Sequence, residues 1–265
     1  GAALGRGEQL QNSAETDDQK IESARLWGNT MMNRGIIQRA EGHLDEAKKT
    51  YESAQEQREQ TLKLDPKTRR LRRDIAKGCV NLANVLIDQS TGQEDADKIR
   101  QQLNKAVGLL TALLKQRAAD LQDRYLLMLC HRMLGDLHAK LAESDPQQRG
   151  FAIDQYSLAE QAIRELVGRN PDIASYRLEL ARLLMNLGLM LAQESKFPQS
   201  LGHFVSAQEL LLALRDTSRA LRDTSQGDVA KQDDGGGGNG LTAGLAVARP
   251  FFEFLFVPLL AHAAL

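Results

Sequence analysis

The sequence predicts an all-α protein, built as a row of about four antiparallel helix pairs. Helix formers such as Leu, Ala, Gln, Glu, Lys and Arg outnumber β-branched residues, and most of the six prolines fall where a helix would end. Apolar residues recur with a helical period from Ile21 onward. One order of small and aromatic residues returns along the chain, which is typical of stacked helical repeats.

The two best-preserved copies of this order lie far apart in the chain. The first copy is a glycine followed 12, 16 and 19 residues later by a small, an aromatic and a small residue: Gly35, Ala47, Tyr51 and Ala54. The last copy keeps the same three distances: Gly188, Ser200, Phe204 and Ala207. Each copy therefore predicts two helices that pack closely at the small residues, with the aromatic ring between them.

Two less regular copies lie between these. The second is Ala83, Ile99, Leu103 and Ala106, and the third is Gly135, Ala152, Tyr156 and Ala159. The small residues that open the four copies are 48, 52 and 53 residues apart. The middle of the array is thus expected to have long turns and long second helices.

The composition changes at both ends of the array, which we place at residues 21–221. Residues 1–20 are polar and lack a helical period, so we expect a disordered lead-in. Residues 222–240 form a polar and Gly-rich linker that includes the run Gly235–Gly240. That run matches a dinucleotide-binding glycine pattern, but no strand precedes it, so we expect no nucleotide there.

Residues 241–265 form an apolar tail for which three roles are open. Its 25 residues are long enough to cross a bilayer, which would tether the protein to a membrane. Arg249 and Glu253 near its middle oppose insertion. Instead of crossing a bilayer, the tail could bind to protein, either by folding back onto the array, where its phenylalanines would occupy the groove, or by binding elsewhere. It could also form a disordered end.

The remaining features argue against catalysis and against a metal or cofactor. Cys79 and Cys130 lie in apolar helical runs and are expected to be core residues in a reducing, cytoplasmic setting. His131 and His138 are seven residues apart, without the spacing of a metal-binding pair. No P-loop, nucleophile elbow or kinase motif is present, and carboxylates alternate with Lys and Arg. The net charge of -1 argues against nucleic-acid binding.

Over residues 21–214, the order of small and aromatic residues resembles the tetratricopeptide (TPR) family, whose standard repeat is about 34 residues. Arg72 and Arg177 each stand four residues before an alanine, and an Asn-Leu-small motif follows at Asn81 and Asn186. In this the chain looks like the stretched TPR arrays that follow some bacterial Ser/Thr protein kinases in signalling. The resemblance implies a superhelix whose first helices line a concave groove that binds a protein partner.

In TPRs, the groove positions lie six and three residues before the small residue and one and four after it. Of the residues at these positions, we take the following ten as candidate partner-binding residues: Met32, Ile36, Arg39, Lys77, Asn84, Arg132, Asp136, Arg182, Met185 and Leu189. A groove with apolar patches and cationic points would suit an extended or helical peptide that carries an apolar anchor and a carboxylate. The TPR carboxylate clamp is not expected, because Met32 and Ile36 occupy the places of its Lys and Asn.

Two functional hypotheses follow. The first is a non-catalytic protein–protein interaction scaffold that binds a peptide or partner helix in the groove. The second is a C-terminal regulatory or sensory segment of a larger signalling enzyme, such as a Ser/Thr protein kinase, with or without a membrane tether through residues 241–265.

Overall fold

The computed structural model describes residues 17–90, 93–117 and 120–229, and its regular structure there is entirely α-helical. The described part of the chain contains these helices: α1 (Asp17–Ala40), α2 (Leu44–Leu64), α3 (Arg69–Gln89), α4 (Gln93–Gln116), α5 (Leu121–Leu141), α6 (Gln148–Arg169), α7 (Ala174–Gln193) and α8 (Phe197–Val229). Consecutive helices pack as the antiparallel pairs α1–α2, α3–α4, α5–α6 and α7–α8. The all-α, TPR-like fold class is therefore confirmed.

The helices extend further at both ends than expected. Helix α1 begins at Asp17, inside the predicted lead-in, because Gln19 and Lys20 are good helix formers that add easily to a helix anchored at Ala24. Helix α8 runs to Val229, inside the predicted linker. The rest of the lead-in, the rest of the linker and the whole apolar tail lie outside the described residues. Within the described ranges, no helix is long and apolar enough to cross a membrane.

The helices fall into two compact units, of which the first ends at Arg169 and the second begins at Asn170. The first unit holds the pairs α1–α2, α3–α4 and α5–α6. Each second helix packs on the next first helix, and the first helices α1, α3 and α5 touch in succession. The second unit holds the pair α7–α8.

A glycine and an aromatic ring hold three of the four pairs together. A methyl group built on the glycine would lie 2.4 to 2.7 Å from a ring carbon, closer than any real contact, in the pairs Gly35–Tyr51, Gly135–Tyr156 and Gly188–Phe204. Only a residue without a side chain allows this approach of helix and ring. In the pair α3–α4, Leu103 takes the place of the ring, and it is buried together with Ala83. The repeat order predicted from the sequence thus describes the packing inside each pair.

The two cysteines belong to this packing. Both are free, and both are buried, on α3 and on α5. Burial raises the pKa of Cys79 to about 11 and that of Cys130 to about 12, because a thiolate would be poorly solvated there. They are core residues, as the sequence predicted.

Candidate functional site

The candidate groove residues lie on the first helices, but they differ in exposure. Ile36 on α1 is 50% exposed, and Arg182 on α7 is also exposed. Partly exposed side chains make up most of the set: Arg39, Lys77, Asn84, Arg132, Asp136, Met185 and Leu189. These side chains are accessible to a partner. The six that belong to the first unit and lie on α1, α3 and α5 (Ile36, Arg39, Lys77, Asn84, Arg132 and Asp136) are called the first-helix face below.

Met32 does not fit the expected groove. Its side chain is only 6% exposed, because it fills the space between α1 and α3. A methyl group on Gly78 of α3 would meet the Met32 Cε at 3.1 Å, and the Asn81 Nδ2 lies 3.8 Å from the Met32 Sδ. Met32 is therefore a packing residue between two first helices, and its thioether is not available for a partner.

A cavity of about 340 Å³ opens between α1 and α3, beside Ile36. Its walls are formed by the residues of the α1/α3 pocket: Ile36, Arg39, Ala40, Tyr51, Asn81 and Asp88. This volume corresponds to several water molecules, each of which occupies about 30 Å³ in the liquid, and it lies at the lower end of the size range of ligand pockets. The pocket has room for one amino-acid side chain.

The charges of the α1/α3 pocket are paired with each other. Arg39 Nε donates to Asp88 Oδ2 at 2.5 Å, and Arg39 Nη2 donates to Asp88 Oδ1 at 3.2 Å, which gives a two-point pair between α1 and α3. This bond to Asp88 raises the pKa of Arg39. Both ends are partly exposed, so the pair is hydrated. The pocket therefore carries no net charge.

Two further polar groups of the pocket lack strong partners. Tyr51 is 1% exposed, and its hydroxyl has no hydrogen-bond partner among the residues that the structure describes. Burial raises the pKa of Tyr51, although the nearby charge of Arg39 acts in the opposite direction. Within the same described ranges, the side-chain amide of Asn81 makes only its long contact with the Met32 sulfur. A buried phenol and an amide thus face a neutral cavity with unused hydrogen-bonding capacity.

The equivalent place in the third pair is closed. Tyr156 Oη donates to Asp136 Oδ1 at 2.8 Å, and Asp136 Oδ2 accepts from Arg132 Nη1 at 2.8 Å. Asp136 and Ile36 both follow the small glycine of their helix by one residue. The Asp at this position therefore decides whether the tyrosine hydroxyl is satisfied inside the pair.

The predicted cationic points are mostly neutralised. Arg132 is paired with Asp136, and in the second unit Arg182 Nη1 lies 3.0 Å from Glu179 Oε1. Lys77 is partly exposed on α3. The charge that these positions were expected to offer a carboxylate is thus largely used within the helices.

Sequence reasoning missed the strongest polar cluster in the first unit. Arg69 and Arg73 at the start of α3 both bind Asp120 and Asp123 at the start of α5, and Asp123 is fully buried. Arg69 Nη1 also donates to the Leu113 carbonyl at the end of α4, at 2.6 Å. These bonds tie three helices together, so the cluster is structural. In the sequence, this cluster corresponds to basic residues at the start of one first helix and acidic residues at the start of the next. The pattern can be recognised only once the repeat register is known.

The histidines also have structural partners. His131 Nδ1 lies 2.8 Å from Gln155 Oε1, and His138 Nδ1 lies 2.8 Å from Gln148 Oε1, so both join α5 to α6. Burial lowers the pKa of His131, which outweighs the effect of the bond to Gln155. Across the described ranges, no group of three or more His, Cys, Asp or Glu residues is placed to hold a metal ion.

No protein-family model and no curated protein sequence matches this chain. Among solved structures, the apo form of RapI aligns over 83% of this chain and 73% of its own, with a TM-score of 0.52 and 12% sequence identity. BtubC (BKLC) from P. vanneervenii aligns over 91% of this chain and 76% of its own, with a TM-score of 0.49 and 16% identity. RapI is a TPR-like helical repeat protein, and at this identity the match supports a shared fold alone.

Proposed function

We propose that this protein is a non-catalytic interaction scaffold that binds an extended peptide or a partner helix along the first-helix face. One observation carries this proposal. Ile36 on α1 stays half exposed at a groove position of a TPR-like fold, and it lines an open cavity. An exposed apolar side chain beside a pocket can anchor a partner by burying its surface against the partner's side chain.

The second unit has a first-helix surface of its own, formed by Arg182, Met185 and Leu189 of α7. These residues are candidates for a further contact with the same or another partner. The second hypothesis, a regulatory segment of a larger signalling enzyme, rests on the sequence resemblance alone, and it would use the same surfaces.

The test uses two adjacent isoleucines on α1. Peptides selected from a random display library against the full chain are measured for binding to wild type, Ile36→Asp and Ile37→Asp. Ile37 is 58% exposed and does not line the α1/α3 pocket, which makes it a matched control. We expect Ile36→Asp to weaken binding by about tenfold or more, since it removes an apolar contact and places a carboxylate where Asp136 of the third pair binds a tyrosine hydroxyl. Ile37→Asp should change binding less than about twofold. Selected peptides that bind Ile36→Asp as well as wild type would contradict the proposal.

A further inference from the structure

The α1/α3 pocket also has a chemical preference. We infer that it binds an uncharged primary amide, the side chain of a glutamine or asparagine on the partner, and that it discriminates against carboxylate and ammonium groups. This inference rests on the proposed function, because it names the ligand class of one pocket on the first-helix face.

The charges of the α1/α3 pocket favour a neutral ligand. The Arg39–Asp88 pair closes on itself at two points, so an incoming carboxylate would meet Asp88 and an incoming ammonium would meet Arg39. Either ion would have to displace the existing partner or be left beside a like charge. A neutral group avoids both costs.

The pocket offers both hydrogen-bond donors and acceptors. The Tyr51 hydroxyl can donate and accept, and the Asn81 side chain carries both a carbonyl and an amino group. Arg39 retains N–H groups, and Asp88 retains lone pairs, outside their mutual bonds. Donors and acceptors therefore occur together, and a primary amide, with two N–H groups and one carbonyl, can use both kinds at once.

The pocket also has an apolar side that suits the carbon chain of such a ligand. Ile36 and Ala40 form the apolar side of the pocket at its exposed end, where they suit the methylene groups that precede a side-chain amide. The buried phenol of Tyr51 is the group that gains most from occupancy, since it has no protein partner in the described chain. A ligand can therefore bond to this hydroxyl without breaking a hydrogen bond inside the protein.

The experiment compares three small probes with the same carbon chain: propionamide, propionate and propylammonium. Each is titrated into the 265-residue chain with ¹³C-labelled isoleucine methyl groups. The Ile36 δ1 methyl reports on the pocket, and the Ile37 δ1 methyl serves as the internal control. We expect propionamide to shift the Ile36 signal saturably in the millimolar range, and both ions to bind several-fold more weakly.

Two phenylalanine variants complete the test. Tyr51→Phe keeps the ring against Gly35 but removes the hydroxyl, and should weaken propionamide binding roughly threefold to tenfold, the effect of one hydrogen bond. Tyr156→Phe removes a hydroxyl that already binds Asp136 and should leave propionamide binding unchanged. Equal binding of propionate, an unmoved Ile36 signal, or equal losses in the two variants would each overturn the inference. If instead the selected peptides still depend on Ile36 while the amide shows no preference, the scaffold role stands and only the ligand class fails.

Discussion

The first and third helix pairs share one packing contact, but the tyrosine hydroxyl of that contact has different surroundings in each pair. In both, a tyrosine ring lies on a glycine of the first helix. In the third pair the tyrosine hydroxyl binds Asp136, whereas in the first pair Ile36 stands at that position and Tyr51 lines a cavity. The repeat therefore keeps its apolar packing while one side chain converts an internally satisfied site into an open one.

The two pairs also differ in how their helices are joined by polar groups. Gln38 on α1 and His138 on α5 both follow the small glycine by three residues, and both are buried. Gln38 accepts from Thr50 on α2 at 2.8 Å, while His138 meets Gln148 on α6 at 2.8 Å. The same place in the repeat thus holds an amide in one pair and an imidazole in the other.

The largest expected effect comes from the Arg–Asp cluster that anchors the start of α5 in the third pair. Within the described residues, no such cluster lies at the start of α1. Asp123→Ala leaves Arg69 and Arg73 without their buried partner, and we expect a loss of about 3 kcal/mol in the free energy of unfolding. The measurement is urea denaturation followed by circular dichroism. Asp97→Ala removes a largely exposed pair with Arg100 and should change stability by less than about 0.5 kcal/mol. Equal effects of the two variants would show that the cluster does not anchor α5.

The next effect tests whether the glycine–tyrosine contact is the same device in both pairs. Gly35→Ala and Gly135→Ala each place a methyl group within about 2.5 Å of ring carbons, and each should cost about 1–3 kcal/mol. Gly108→Ala on α4, where the added methyl group would meet no described atom within 4 Å beyond the adjacent residues and the backbone of its own helix turn, should stabilise the protein by up to about 1 kcal/mol. Thermal unfolding of the three variants checks this. If Gly35→Ala left the stability unchanged while Gly135→Ala lowered it, the glycine–tyrosine contacts of the two pairs would not be equivalent.

A smaller effect on stability is expected from pH in the third pair. The pKa of His131 is lowered in the folded state by burial, so its contribution to stability is complete above its ordinary pKa of about 6.5 and is lost as the pH falls below that value. Hydrogen exchange at pH 7.5 and pH 5.5 should show faster opening of α5 and α6 in acid, with less change in α1 and α2. His131→Met, which matches Met31 in the first pair, should reduce that acid effect. If α5 and α6 of His131→Met still opened faster in acid to the same extent as in wild type, groups other than His131 would cause the acid effect.

Much of the fold could be predicted from the sequence, because the order of small and aromatic residues is a local pattern repeated along the chain. Gly35 and Tyr51 are 16 residues apart, and a single helix pair brings them together. The ends of the helices were less predictable. Helix α1 extends to Asp17 because of helix propensity, and no residue of the repeat pattern marks that end.

The candidate site was predicted less completely. Ile36 and Arg39 were identified from the register alone, but the burial of Met32 depends on its contact with Gly78 of another pair. The neutral charge of the pocket depends on Asp88, which lies 49 residues after Arg39. Such contacts between pairs vary with the lengths of the turns, and a one-dimensional register cannot supply them.

The most direct test of the account compares the stability of Tyr51→Phe with that of Tyr156→Phe in the full chain. Tyr156→Phe removes a hydrogen bond to Asp136 and should lower the free energy of unfolding by about 1 kcal/mol. Tyr51→Phe removes a hydroxyl without a protein partner in the described residues and should leave stability within about 0.5 kcal/mol of wild type or raise it. Equal losses in urea denaturation would contradict the claim that the first pair is open where the third pair is closed.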